Sequence, residues 1–328
     1  MTTLLCGLCL LAASDETYRE WTSELAKRSE LPATIGERLD AAELERLAKS
    51  RPKPPYATLT CGVRLKNGTL WVGSEGGLRT RARGKGPWRL FHSQRYLPDD
   101  HVTDLAVAKR GVVFVQTTAG VVRLYREKTT LGATLAEINA ELLKWHLREG
   151  FVADIQLNEP GDPSAGVAMI PSSDNDGLWT SLYVAAEAFR YGVTGAEDAK
   201  QNARRSLEAL MKLERITGIP GFCARSWWHG EDDPGKIFGG EWHKAAEGDL
   251  WWKGDTSSDE LDGHYFAYPI YYDLCADESE KAEIREYVRR ITDNLLDNGL
   301  YYIDVDGKPT TWGVFPPERL NHDLTWLD

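Results

Sequence analysis

One stretch of this chain repeats, and the repeat limits the folds open to it more than any other feature. Asn67-Gly-Thr-Leu-Trp-Val-Gly-Ser-Glu-Gly-Gly-Leu78 returns as Arg110-Gly-Val-Val-Phe-Val-Gln-Thr-Thr-Ala-Gly-Val121, so that Gly68 matches Gly111, Trp71 matches Phe114 and Gly77 matches Gly120 at an offset of 43 residues. Across residues 56–128 apolar positions alternate and glycines punctuate them, which predicts short strands joined by tight turns. From Leu135 the period changes. Leu135, Ile138, Leu142, Trp145 and His146 recur at helical spacing, which predicts a helix over residues 135–148. A β region followed by a helical region places the chain in the α+β class.

A 43-residue period fits one four-stranded propeller blade. The pattern resembles the two-component-regulator propeller repeat, whose core reads Gly-x-Leu-Trp-Val-Gly-Thr-x-x-Gly-Leu. The resemblance covers two copies, whereas a closed propeller needs at least about four blades. It implies a remnant sheet or a part of something larger, and it makes Trp71 a core residue.

Residues 15–50 are rich in Glu, Leu, Ala, Lys and Arg and are expected to be helical, with a break at Pro32; Arg51-Pro-Lys-Pro-Pro55 cannot continue a helix and marks a boundary. Helices are expected over 178–191, 198–217 (ended by Gly218 and Pro220), 257–274 and 278–296, a loop over 161–173 and a turn over 305–308. Between them, residues 220–254 form a long irregular stretch holding five tryptophans. This alternation of helices with aromatic loops resembles half of an (α/α)6 toroid, the fold of many six-hairpin glycosidases and polysaccharide lyases. A full toroid has twelve helices; five or six are expected here, so the chain looks truncated at its C-terminus. The expected organisation is a signal-like segment at 1–14, a helical leader and Pro-rich linker at 15–55, a small propeller-like antiparallel β region at 56–132 and an incomplete α/α toroid at 133–328.

Charge divides the same way. Residues 1–150 carry 23 Lys+Arg and 17 Asp+Glu, and residues 151–328 carry 16 and 33. The acidic second part is a poor nucleic-acid surface, since phosphate neutralisation needs clustered Lys and Arg; it suits a neutral sugar or acid/base work by carboxyl groups. The N-terminal run Met1-Thr-Thr-Leu-Leu-Cys-Gly-Leu-Cys-Leu-Leu-Ala-Ala-Ser14 is too short to span a bilayer and resembles a secretory signal without its basic start. We therefore expect export, no membrane span and no cofactor; the sequence leaves the oligomeric state open. Beyond that run, Cys61, Cys223 and Cys275 are widely spaced and odd in number, which fits buried free thiols better than a disulfide framework or zinc site.

Three constellations could carry chemistry. Asp174, Asn175 and Asp176 crowd the start of a helix, more than a cap needs, with Trp179 following. In Pro220–His229, Arg225 precedes Trp227 and Trp228; a tryptophan face can stack on a sugar ring and Arg can fork onto a carboxylate or hydroxyls. In the third, Asp255, Asp259, Glu260 and Asp262 crowd eight positions, with His264 and Tyr268 at helical spacing behind them. Ser257 and Glu260 also read as a capping box. Gly263 weakens that helix by about 1 kcal/mol relative to Ala unless another helix or a substrate approaches closely. The acidic spacing does not follow an EF-hand, and metal ligation is not expected.

Together these residues suit glycoside hydrolysis, which needs one protonated and one ionised carboxyl group. Asp174, Asp176, Asp255, Asp259, Glu260, Asp262 and His264 are the catalytic candidates. Asn175, Trp179, Arg225, Trp227, Trp228 and Tyr268 are the substrate-binding candidates. Two alternatives stay open. The toroid resemblance also implies a polysaccharide lyase on a uronate-containing glycan, with Asn175 or Arg225 neutralising the carboxylate and His264 and Tyr268 as base and acid. The propeller resemblance implies a non-enzymatic periplasmic sugar-binding sensor module.

Overall fold

A computed structural model describes residues 17–50, 58–84, 86–159, 162–169, 172, 174–246 and 248–320. The signal-like segment, the Pro-rich linker, Ser173 and the last eight residues lie outside the described residues. The chain divides into two compact units, one over residues 15–133 and one over 134–328. Helices and antiparallel sheets are both present, as an α+β chain requires. Among the described residues no helix is long and apolar enough to cross a membrane.

The first unit holds β1 (Thr17–Ala26), β2 (Glu37–Arg38), α1 (Ala41–Lys49), β3 (Leu59–Arg64), β4 (Leu70–Ser74), β5 (Gly77–Arg81), β6 (Arg89–Phe91), β7 (Val102–Val107), β8 (Val113–Thr117) and β9 (Val121–Thr130). They form two antiparallel sheets, ordered β2-β3-β4-β5-β6 and β1-β9-β8-β7. The sequence repeat is a repeat of strands: β4 and β8 are its two copies, each preceded by a glycine with positive φ, Gly68 (82°) and Gly111 (78°). The two copies use opposite faces. Trp71 of the first points into the cluster that also holds Val113 and Val115 of the second, so one face of the first sheet meets the other face of the second. Trp21, Phe91 and Tyr96 complete this core, with Trp21 edge-on to Trp71 at 5.6 Å.

The other face of the first sheet, with Leu70 and Val72, is covered by Leu44 and Leu47 of α1. Asp40 begins α1 with a capping box in which its carboxylate accepts the Glu43 N–H. The expected leader helix over residues 15–50 is thus real only over Ala41–Lys49. Residues 17–26 are instead a strand, because all ten pair with β9 about a hundred residues away. That pairing outweighs the local helical preference of Glu, Leu and Ala.

The second unit is built on four long helices: α3 (Asp176–Thr194), α4 (Glu197–Arg215), α6 (Ser258–Leu274) and α7 (Glu278–Asp297). Before them come α2 (Leu131–Glu141), a π turn at Leu142–His146, and two hairpins, β10 (Leu147–Arg148) with β11 (Phe151–Val152) and β12 (Ile155–Glu159) with β13 (Asp162–Met169). The predicted helix over 135–148 therefore stops early, and part of the predicted loop over 161–173 is a strand. The tryptophan-rich stretch is also more regular than expected. It contains β14 (Ser226–His229), α5 (Gly235–Phe238), β15 (Trp242–Lys244) and β16 (Leu250–Lys253), in a sheet ordered β14-β16-β15. A last hairpin, β17 (Tyr301–Ile303) with β18 (Pro309–Val314), precedes α8 (Pro317–Leu320).

α3 and α6 cross closely because both lack a Cβ where they meet. A Cβ on Gly263 would lie 2.7 Å from Gly177 O and from Leu178 Cα. Around this crossing Val184, Leu207, Leu210, Phe222, Leu261, Tyr287 and Tyr302 form the buried core. Cys61, Cys223 and Cys275 are unpaired, the latter two buried.

Candidate functional site

The residues leading into α3 and β14, the end of α5 and the turn after it, the end of β16, the start of α6 and strand β18 converge on an open cleft of about 690 Å³. Five sequence-nominated residues line it: Asp174, Asn175, Arg225, Asp255 and Asp259. Lys253, Glu241, Phe238 and Trp312 line it as well. Trp312 is 58% exposed on β18 and gives the rim an open aromatic face.

Asn175 is the hub. It stands at the N-cap position of α3, yet its side chain caps nothing. Its Nδ2 donates to Asp259 Oδ2 at 2.9 Å, and its Oδ1 accepts from Ser257 Oγ at 2.7 Å and from Arg225 Nη2 at 3.0 Å. Three segments remote in sequence, at residues 175, 225 and 257–259, are tied by one amide. Asp174 and Asn175 both hold left-handed backbone, φ 41° and 67°, as does Asp255 at 51°. Asp and Asn tolerate this conformation better than other residues with a Cβ, but it still carries strain, of a kind that clusters at working sites. Trp179 Nε1 donates to Asp174 O at 3.1 Å and so braces the turn from outside the cleft.

The carboxyl groups differ in environment. Burial pulls Asp174 upward, but the hydrogen bond and charge of Lys253, with Arg225 behind, overcome it and hold the carboxyl below its ordinary value. Asp255 is fixed to the β17–β18 hairpin: Asp255 Oδ1 accepts the Thr311 N–H at 2.6 Å, and the Asp255 N–H donates to Asp304 Oδ2 at 2.6 Å. Arg225 lines the cleft without a carboxylate partner among the ion pairs of the described residues, and its Nε is buried with no hydrogen bond. It is a cation with donors to spare beside three carboxylates.

Several expected site residues lie elsewhere. Asp176 is fully buried beneath the cleft, where Arg148 Nη2 donates to it at 2.6 Å and Ser226 Oγ donates to the same oxygen. Trp227 is a core residue, edge-on to Phe151 at 5.7 Å with Lys212 Nζ over its ring at 3.4 Å. Trp228 is half-buried behind the cleft-lining Phe238. Asp262 is exposed on α6, and partial burial of its carboxyl, then the charge of Asp259, raise its pKa.

His264 and Tyr268 do not face the cleft. Both are buried, with His264 Nδ1 2.7 Å from the Tyr268 hydroxyl. Glu260 is buried too. Its Oε2 accepts the Gly177 N–H at 2.7 Å, so the expected capping box with Ser257 does not form; both side chains turn toward the start of α3 instead. Burial, then the negative charge of Asp176, push the Glu260 carboxyl well above the usual range.

Burial alone pushes the His264 imidazole down to about 3. The unfolded chain protonates this histidine near 6.5 while the folded chain does not, so its share of stability is lost as pH falls from 6.5 toward 3. Glu260 acts in the opposite sense: its share is complete below about 4.5 and is lost as pH rises through the folded value. A series of urea midpoints against pH is expected to show an acid limb below 6.5 that flattens in His264→Gln. An unchanged limb would show that His264 is not the group responsible.

Sequence reasoning missed Lys253, Glu241, Phe238 and Trp312. Lys253 stood inside the Trp251-Trp-Lys-Gly-Asp255 run, and its alternation with the buried Trp252 was the available signal. Trp312 had none, since nothing local relates β18 to the starts of α3 and α6. Among the described residues, no group of three or more His, Cys, Asp or Glu side chains is placed to hold a metal ion. Comparison with known proteins finds no family model, no curated protein and no solved structure that matches this chain.

Proposed function

We propose that the cleft binds a carbohydrate and hydrolyses a glycosidic bond, with Asp174 and Asp259 as its paired carboxyl groups. One observation carries this reading: Asp174 and Asp259 reach a single open cleft from the starts of two different helices, on either side of Asn175, under an exposed tryptophan. Asp174, held ionised by Lys253, takes a proton from the water that attacks the anomeric carbon, or attacks that carbon itself to form a glycosyl ester that water then hydrolyses. In its protonated form, Asp259 supplies a proton to the glycosidic oxygen as the bond to the leaving group breaks. Trp312 stacks on a sugar face, and the free donors of Arg225 take a sugar carboxylate or a pair of hydroxyls. The separation of the two carboxylates in a ligand complex then decides between retention and inversion.

Within this proposal the first unit is read as two propeller-type blades, supported by the 43-residue strand repeat and the face-to-opposite-face stacking of its sheets. The second is read as part of an α/α toroid, supported by four long helices in sequence, with the residues that lead into two of them, α3 and α6, lining the cleft. Export of the protein belongs to the same proposal. The elimination reading is weakened, because His264 and Tyr268, its acid and base, are buried away from the cleft. The sensor reading predicts binding without turnover.

A panel of neutral and uronate-containing polysaccharides separates these readings. New reducing ends without ultraviolet absorbance support hydrolysis. Reducing ends with the absorbance of an unsaturated uronate replace it with elimination, and calorimetric binding with neither product replaces it with a sensor. Trp312→Ala is expected to weaken oligosaccharide binding about fivefold, the loss of roughly 1 kcal/mol of ring contact, with an unchanged melting temperature because the side chain is largely exposed. Equal affinity in the variant would remove Trp312 from the site.

A further inference from the structure

Glu260 stands beside one cleft residue in the chain and bonds near another. On α6, Glu260 directly follows Asp259. On α3, its partner Gly177 lies two residues after Asn175. The buried bond Gly177 N–H to Glu260 Oε2 (2.7 Å) therefore lies next to the part-buried bond Asn175 Nδ2 to Asp259 Oδ2 (2.9 Å). The helix starts can approach this closely only because neither Gly177 nor Gly263 carries a Cβ. A Cβ on Gly177 would overlap Glu260 Oε2, and one on Gly263 would meet the backbone of Gly177 and Leu178.

We propose that Glu260 is a positioning residue: by accepting the Gly177 N–H it sets the register of the starts of α3 and α6, and so holds Asn175 between Asp259, Ser257 and Arg225. This role belongs to the cleft itself and stands whether or not the cleft hydrolyses glycosides. It also differs from the catalytic role that the sequence suggested for Glu260, since the side chain is fully buried and touches no cleft surface.

The surroundings make the bond sensitive to the state of the carboxyl group. Asp176 faces it from α3, Arg225 and Cys223 from the segment before β14, Tyr302 from β17, and Asp259 and His264 from its own helix. Asp176 is already paired with Arg148, and Arg225 is the remaining cation acting on Glu260. Glu260 Oε1 has no hydrogen-bond partner. A charge on Glu260 is thus poorly compensated, and its ionisation is expected to draw in water and part the two helix starts.

The test uses the whole chain labelled with 15N at asparagine. The Asn175 side-chain amide is assigned by its loss in Asn175→Asp and followed against pH in wild type, Glu260→Gln and Glu260→Ala. In wild type a transition is expected above the ordinary carboxylate range as Glu260 ionises. Glu260→Gln, which keeps the acceptor but cannot ionise, should hold the low-pH position throughout. Glu260→Ala should show a shifted or broadened signal at every pH. A transition that persists in Glu260→Gln, or an unshifted signal in Glu260→Ala, would overturn the assignment. If Glu260→Ala does not fold, the Glu260→Gln titration still decides.

Discussion

Gly263→Ala is expected to destabilise the unit of residues 134–328 by about 3 kcal/mol, the upper part of the range for overpacking a tight contact. The sign is the informative part. In an open helix this change stabilises by about 1 kcal/mol, because alanine is the better helix former. Here the new methyl would sit 2.7 Å from Gly177 O and Leu178 Cα. These are backbone atoms of α3 and cannot rotate aside, so either the helices separate or the side-chain cluster above them shifts. Urea unfolding of the variant reads the effect directly. A rise in midpoint would show that α3 and α6 do not cross at these residues. The cleft should suffer with the crossing, because Asn175 and Asp259 lie immediately above it.

The second large effect is on turnover. Asp259→Asn and Asp174→Asn are each expected to lower hydrolysis by about 10²–10⁴-fold, the usual contribution of a positioned acid or base. Binding should be nearly intact, since an amide keeps the shape and most hydrogen bonds of each carboxyl group. The two variants differ in what they disturb. Asp259→Asn removes the acceptor of the Asn175 amide at one oxygen and the proton donor to the leaving group. Asp174→Asn removes the partner of Lys253 and the ionised group. Asp262→Asn, exposed on α6 outside the cleft lining, is the control and should be neutral.

Much of this arrangement was legible in the sequence where the signal was local. The 43-residue repeat located equivalent strands, and its glycines mark turns with positive φ. The cost of Gly263 in a helix pointed to a close neighbour, which is α3. Asp174, Asn175, Arg225, Asp255 and Asp259 were all nominated and share the cleft.

What was not legible depended on contacts distant in the chain. Residues 17–26 look helical until β9 is supplied as a partner. Helical spacing aligned Glu260, His264 and Tyr268 but could not say that their face is the buried one. Trp227 and Trp228 are adjacent in one strand and so point to opposite sides, one into the core and one toward Phe238. The capping reading of Ser257 failed for the same reason, because Asn175 competes for its hydroxyl from another helix.

The measurement that bears most directly on the central claim is reducing-end release from the polysaccharide panel, by wild type and by the Asp174→Asn/Asp259→Asn double variant purified in parallel. Release by the wild-type protein from at least one glycan is expected, with loss of that release in the double variant and the sugar still bound. Equal release by both proteins, or binding by the wild type with no product on any glycan, would contradict that claim.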